Sequence, residues 1–265
     1  MISDNNTGKR GSITCLPFSS KASYRPQTFT QIDTQAIRDC GYQVIRGFGI
    51  NVDEFEQVFD RISRSQLYYS ERIGSVCHQY SVEVSSDNFS QQMRTGGFHT
   101  DFMFQEQPPE YIALLCLQTD PKHPIYGRNQ IVSMSALLER LNSAFGLSVE
   151  ELLQRQLPYH FAKGQQFSVP LLHKINGHFQ FKFHQHLVTG GVNESALRNK
   201  AVDTYLAQLH SAMIDVAEDV CLDAGDLLVV SNHHALHRRS ECSVSFDTEN
   251  KVWLSRKMAS IRFNL

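Results

Sequence analysis

Gly225-Asp226-Leu227-Leu228-Val229-Val230-Ser231-Asn232-His233-His234-Ala235-Leu236-His237 holds the densest signal in the chain. Leu227–Val230 is an unbroken apolar run closed by turn-forming residues. Its length suits a strand buried on both faces rather than a helix. The run leaves a Gly-Asp turn and delivers three histidines beyond its end. A second stretch, Gly96-Gly97-Phe98-His99-Thr100-Asp101-Phe102, adds a His-x-Asp pair. In extended backbone, residues two apart project to one face, so His99 and Asp101 can grip one ion together. A third, Trp253-Leu254-Ser255-Arg256, places a cation in a later strand.

A close His/Asp pair plus one distant His is what a facial metal site requires. Two imidazoles and one carboxylate leave three positions of an octahedral ion open, the arrangement of non-haem Fe(II) oxygenases. A lone His-x-Asp is weak evidence in a chain with 12 histidines, because one such pair arises by chance. The residues alone leave open which of His233, His234 and His237 completes the set. His184-Gln185-His186 would also put two imidazoles on one face, but no third ligand is placed there by any motif.

Outward from these stretches the pattern is strand-rich. Tyr111–Leu117 reads as a buried strand, His178–Val188 as one or two short strands, and Val252–Phe263 as extended. Gln43–Arg46 reads as a short strand closed by Gly47 and Gly49. A helix is expected from about Asp53, where Phe55, Val58, Phe59 and Ile62 keep helical spacing behind an acidic first turn. Ser148 and Glu151 form a candidate capping box. A long helix is expected over about 194–217, with Asn193 as its cap. No Gly-rich phosphate loop joins a strand to a helix, which disfavours a nucleotide-binding α/β fold. The expected fold is mainly β with helical buttresses (α+β). Residues 1–26 read as an irregular arm, and 27–265 as one domain with a helical insert around 193–217.

Composition narrows the function classes. With 41% hydrophobic and 20% charged residues, the 265-residue chain can bury a sizeable core. A net charge of −2 leaves no basic excess to hold nucleic acid or an anionic membrane. No apolar run approaches a bilayer's thickness, and residues 1–26 lack a signal-peptide core. Six scattered cysteines without a Cys-x-x-Cys pair read as free thiols. The expectation is a soluble, cytoplasmic, globular protein.

Two of these stretches carry a family resemblance. His99-Thr100-Asp101, followed by Pro108-Pro109 and the strand Tyr111–Leu117, resembles the first metal segment of Fe(II)/2-oxoglutarate dioxygenases of the taurine dioxygenase and clavaminate synthase type. Gly225–Asn232 with His237 resembles their second segment, in which an Asn precedes the distal histidine by five positions. The resemblance runs from about residue 40 to the C terminus and implies a double-stranded β-helix, or jelly roll. It implies Fe(II) held by His99, Asp101 and His237, 2-oxoglutarate as cosubstrate, and O₂ as oxidant. It also implies hydroxylation of an unactivated C–H bond in an amino acid or amino-acid-derived metabolite, with release of succinate and CO₂. An O₂-independent hydrolase or isomerase using the same His/Asp/His site is the competing expectation.

The cosubstrate contacts depart from the pattern. Relatives carry two arginines four residues apart after the distal histidine, the first for 2-oxoglutarate and the second for the substrate. Arg256 matches the context of the second, and Val252 occupies the position of the first. Either Lys251 or another cation substitutes, or a longer loop lets Arg256 take the cosubstrate itself. Arginine offers two parallel charge-assisted hydrogen bonds where lysine offers a point charge, which favours Arg256. Asn129 falls near the position of a threonine that bonds the cosubstrate in relatives.

Overall fold

Leu227–Ser231 forms the buried strand that its apolar run predicts, and it lies inside a five-stranded sheet. The computed structural model describes residues 32–64, 66–70, 74–86, 90–160, 166–189 and 200–265. The arm read over 1–26 lies outside them. The sheet runs Tyr42–Ile45, Leu227–Ser231, Tyr111–Gln118, Lys257–Phe263, Cys77–Ser81, with every neighbour antiparallel. Both faces of Leu227–Ser231 and Tyr111–Gln118 are covered, so their sequences are apolar nearly throughout rather than alternating.

Period-2 alternation sorts these strands into two cores. Ala113, Leu115, Val229, Ala259, Ile261 and Phe263 face outward. They pack under helix Val52–Ile62, through Phe55, Val58 and Phe59, and under Ile37 of helix Thr34–Cys40. Ile112, Leu114, Leu228, Val230 and Met258 face inward, against a second, three-stranded sheet. That sheet is ordered Ala235–Arg239, Asn129–Ser133, Glu218–Val220. Its inner face gives Ile131 and Ala235 to the shared core. Its outer face gives Val132 and Leu236 to a third cluster with helices Met134–Phe145 and Lys200–Val216.

Several local expectations hold for their stated reasons. The helix expected from about Asp53 is Val52–Ile62, where the structure adds an Asn51 cap, and Ser148 and Glu151 make the expected reciprocal capping box at Val149–Gln154. The long helix is Lys200–Val216; its expected start and Asn193 lie outside the described residues. The cysteines among the described residues are free thiols. Among the described residues no helix is long and apolar enough to cross a membrane.

Other readings change. His178–Phe181 is a strand, but Gln185–Thr189 turns into a short helix instead of continuing it. Helix Met134–Phe145 escaped the sequence reading, although Ser133 caps it and Gly146 ends it in the left-handed conformation. Trp253, the chain's one tryptophan, is 62% exposed rather than core. It sits on a hairpin, Val244–Asp247 with Val252–Ser255, and packs edge-on against its cross-strand partner Phe246 on the outward face.

Candidate active site

Both inner faces change from apolar to polar toward one end, and the site forms where they do. On the last strand Met258 is core, whereas Ser260 and Arg262, on the same face, are polar. On the facing sheet Ala235 is core, and His237 and Arg239 continue its face. The cavity between them has a volume of about 450 Å³, adequate for a small ligand.

The segment bearing His99 and Asp101 is clamped between two others. On one side His99 N–H donates to His237 O and His237 N–H to His99 O, each at 3.0 Å, while Gly96 N–H donates to Arg239 O at 2.9 Å. On the other side Gln185 N–H donates to Phe98 O and Thr100 N–H to Phe183 O, both at 2.9 Å. Phe98 N–H also reaches Gln185 Oε1 at 3.0 Å. Gly97 permits this closeness, since a Cβ there would lie 2.9 Å from Gln185 Cβ. Residues directly opposite across antiparallel neighbours share a face. His184, His99 and His237 therefore stand in a row, with ring centroids 5.1 and 4.3 Å apart.

Asp101 is aimed at the row by Asn232. The Asn232 side chain accepts Asp101 N–H at 2.7 Å and donates to Asp101 O and Pro109 O, each at 2.9 Å. This is the physical content of the Asn five positions before the distal histidine. Asn232→Ala leaves three buried backbone groups without their partner, at a cost of about 3 kcal/mol. A thermal melt should show a clear drop, and an unchanged midpoint would remove Asn232 from this role.

The ligand atoms of His99, Asp101 and His237 lie within 4.8 Å of one another. Asp101 Oδ1 is 3.4 Å from His99 Nε2 and 3.8 Å from His237 Nε2. His99 Nδ1 donates to Gly97 O at 2.9 Å, which fixes the ring with Nε2 toward Asp101. Burial, with His99 adjacent, pushes the His237 imidazole down to about 3. It is therefore neutral, the form that ligates metal. Burial alone would raise the Asp101 carboxyl, but Arg262 and the two histidines hold it well below the usual carboxylate range. Two imidazoles and an ionised carboxylate on one face fit a divalent transition metal.

Arg256 lines the same cavity and is 4% exposed. Its Nη2 donates to Asn129 Oδ1 at 2.8 Å, and Asn129 Nδ2 is buried without a partner. A buried guanidinium beside an orphaned amide donor suits a carboxylate. The 244–255 hairpin accounts for the long spacing between His237 and Arg256. Lys251 is not brought to the site: it sits exposed at φ +55° in the hairpin's turn, which directs it away from the cavity.

His233 and His234 do not reach the site either. His233 Nε2 bonds Pro108 O at 3.2 Å and His234 Nδ1 bonds Ser231 Oγ at 3.1 Å. Phe102 and Phe104 both line the cavity. His184 and Arg262 are among the lining residues that escaped the sequence reading as site members. His184 joins the row only through cross-strand pairing. Arg262 lies on strand Lys257–Phe263, two residues after Ser260 and four after Met258 on the same face, an alternation that was present in the sequence.

The chain matches the family model "Taurine catabolism dioxygenase TauD, TfdA family" over residues 16–258. No curated protein sequence matches it significantly. Among solved structures it is similar to an asparagine oxygenase in complex with Fe(II), (2S,3S)-3-hydroxyasparagine and succinate. The TM-score is 0.66 and the identity 16%, covering 85% of this chain and 74% of that one. It is also similar to the non-heme iron oxygenase OrfP in complex with Fe, succinate and (3S)-hydroxy-L-Arg, with TM-score 0.58 and 15% identity over 84% and 74% of the two chains. A taurine dioxygenase from Burkholderia xenovorans gives TM-score 0.58 and 13% identity over 84% and 76%. With a family match spanning nearly its whole length, the chain belongs to the TauD/TfdA family and is an Fe(II)- and 2-oxoglutarate-dependent dioxygenase.

Proposed function

We propose that this enzyme hydroxylates an unactivated C–H bond of a small amino acid or amino-acid-derived metabolite. In this reading His99, Asp101 and His237 hold Fe(II), and Arg256, with Asn129 beside it, receives the far carboxylate of 2-oxoglutarate. The facing sheets correspond to a jelly roll, and residues 27–265 act as one domain. The observation that carries the reading is the His99/Asp101/His237 cluster opening on a cavity that also contains a buried, anion-ready Arg256. Similar structures contain hydroxyasparagine and hydroxyarginine, which supports an amino-acid-like substrate.

Iron with 2-oxoglutarate and O₂ supplies the oxidising power, the keto acid being converted to succinate and CO₂ as the substrate is hydroxylated. The chain's own residues bind, orient and exclude water. Ile112, Leu114 and Phe102 give the cavity an apolar wall, while Tyr80, His184 and Arg262 supply polar contacts. Anaerobic addition of Fe(II) and 2-oxoglutarate to the apoprotein should produce a visible metal-to-ligand charge-transfer band that neither gives alone. Absence of the band would overturn the assignment of His99, Asp101, His237 and Arg256 to the metal and its cosubstrate.

A further inference from the structure

We propose that Arg262 is a positioning residue that restricts Asp101 to gripping the metal through one oxygen, which keeps a coordination position open for O₂. The proposal rests on the metal site proposed above. The two carboxylate oxygens of Asp101 have different surroundings. Oδ1 is the one that faces Nε2 of His99 and of His237. Oδ2 accepts Nε–H of Arg262 at 2.8 Å. The guanidinium is itself anchored, with Nη1 donating to Ser260 Oγ at 2.9 Å and that hydroxyl donating to His78 O at 3.3 Å. Arg262 is thus tied to its own strand and, through Ser260, to the neighbouring Cys77–Ser81 strand. Both partners of the Arg262–Asp101 pair are largely buried, with side chains 20% and 15% exposed.

The consequence follows from counting positions. A carboxylate can hold a metal with one oxygen or with two. Held with one, Asp101 and the two histidines leave three positions of an octahedral ion free. A keto acid that chelates through two oxygens then leaves one for O₂. Held with both oxygens, Asp101 would occupy that last position. A charge-assisted hydrogen bond to Oδ2 opposes the two-oxygen grip, and arginine suits the task because it stays charged and its planar fork is fixed in direction.

The test compares wild type, Arg262→Gln and Arg262→Lys as Fe(II)·2-oxoglutarate complexes under anaerobic conditions, with nitric oxide as the probe for the O₂ position. The charge-transfer band reports cosubstrate chelation, and the S = 3/2 electron paramagnetic resonance signal reports nitric oxide binding. Loss of an outer partner of a metal ligand costs roughly 10- to 100-fold. Arg262→Gln should therefore keep the band and weaken nitric oxide binding by about tenfold or more, with Arg262→Lys in between. If Arg262→Gln does not fold, Arg262→Lys alone carries the comparison, with the same expected direction. Nitric oxide affinity within about twofold of wild type in the folded variant overturns the proposal and leaves Arg262 to the substrate. Failure of the wild type itself to give the band would instead overturn the metal-site reading.

Discussion

His237→Ala abolishes coupled turnover and weakens Fe(II) binding by more than the roughly 100-fold that loss of an outer partner costs, because it removes a ligand outright. Only the His99/Asp101 pair would remain, and two ligands two residues apart on one segment leave the geometry of the ion undefined. The backbone bonds between His99 and His237 do not involve the side chain, so the fold should survive the substitution. Isothermal titration with Fe(II) under argon measures the binding, and succinate and product formation measure the coupling. His233→Ala and His234→Ala are the controls, since their rings are engaged with Pro108 O and Ser231 Oγ away from the cavity. Near-normal activity in His237→Ala, with loss in either control, would assign the distal ligand to a different histidine.

Arg256→Ala raises the Michaelis constant for 2-oxoglutarate by roughly 30-fold or more, the effect of removing one partner from a buried, hydrogen-bonded charge pair. Arg256→Lys should recover part of this, because a point charge remains but the paired donors do not. Arg256 is buried beside Asn129 in the same cavity as the metal cluster, so the variant also leaves Asn129 Oδ1 without its donor. Asn129→Ala separates the two contributions, with a smaller rise expected. An unchanged constant for 2-oxoglutarate, with succinate released without product, would place Arg256 on the substrate instead.

How much of this was readable from the residues depends on how local each signal is. The buried strand Leu227–Ser231, the helix Val52–Ile62 and the cap at Ser148 follow from runs and spacings a few residues long. The pairing of His99 with Asp101 is readable from alternation, although in the structure Asp101 lies in a turn whose backbone Asn232 holds. The choice of His237 came from family resemblance, through its distance from Asn232. The hydrogen bonds of Asn232 to Asp101 supply the reason for that distance.

The tertiary structure decided what depends on register between distant segments. His184 lies 85 positions from His99 in sequence, yet sits beside it because Phe183 and Gln185 bond the neighbours of His99. Arg262 meets Asp101 only because the last strand lies next to Tyr111–Gln118 with its inner face toward the facing sheet. The 244–255 hairpin displaced Lys251 to the surface and turned Trp253 outward, whereas Arg256 was carried into the core. Side-chain period and turn chemistry are properties of a few consecutive residues, so the sequence determined them by itself. A one-residue slip between strands would send every side chain to the opposite face, so the membership of the site was settled only when the two sheets packed in register.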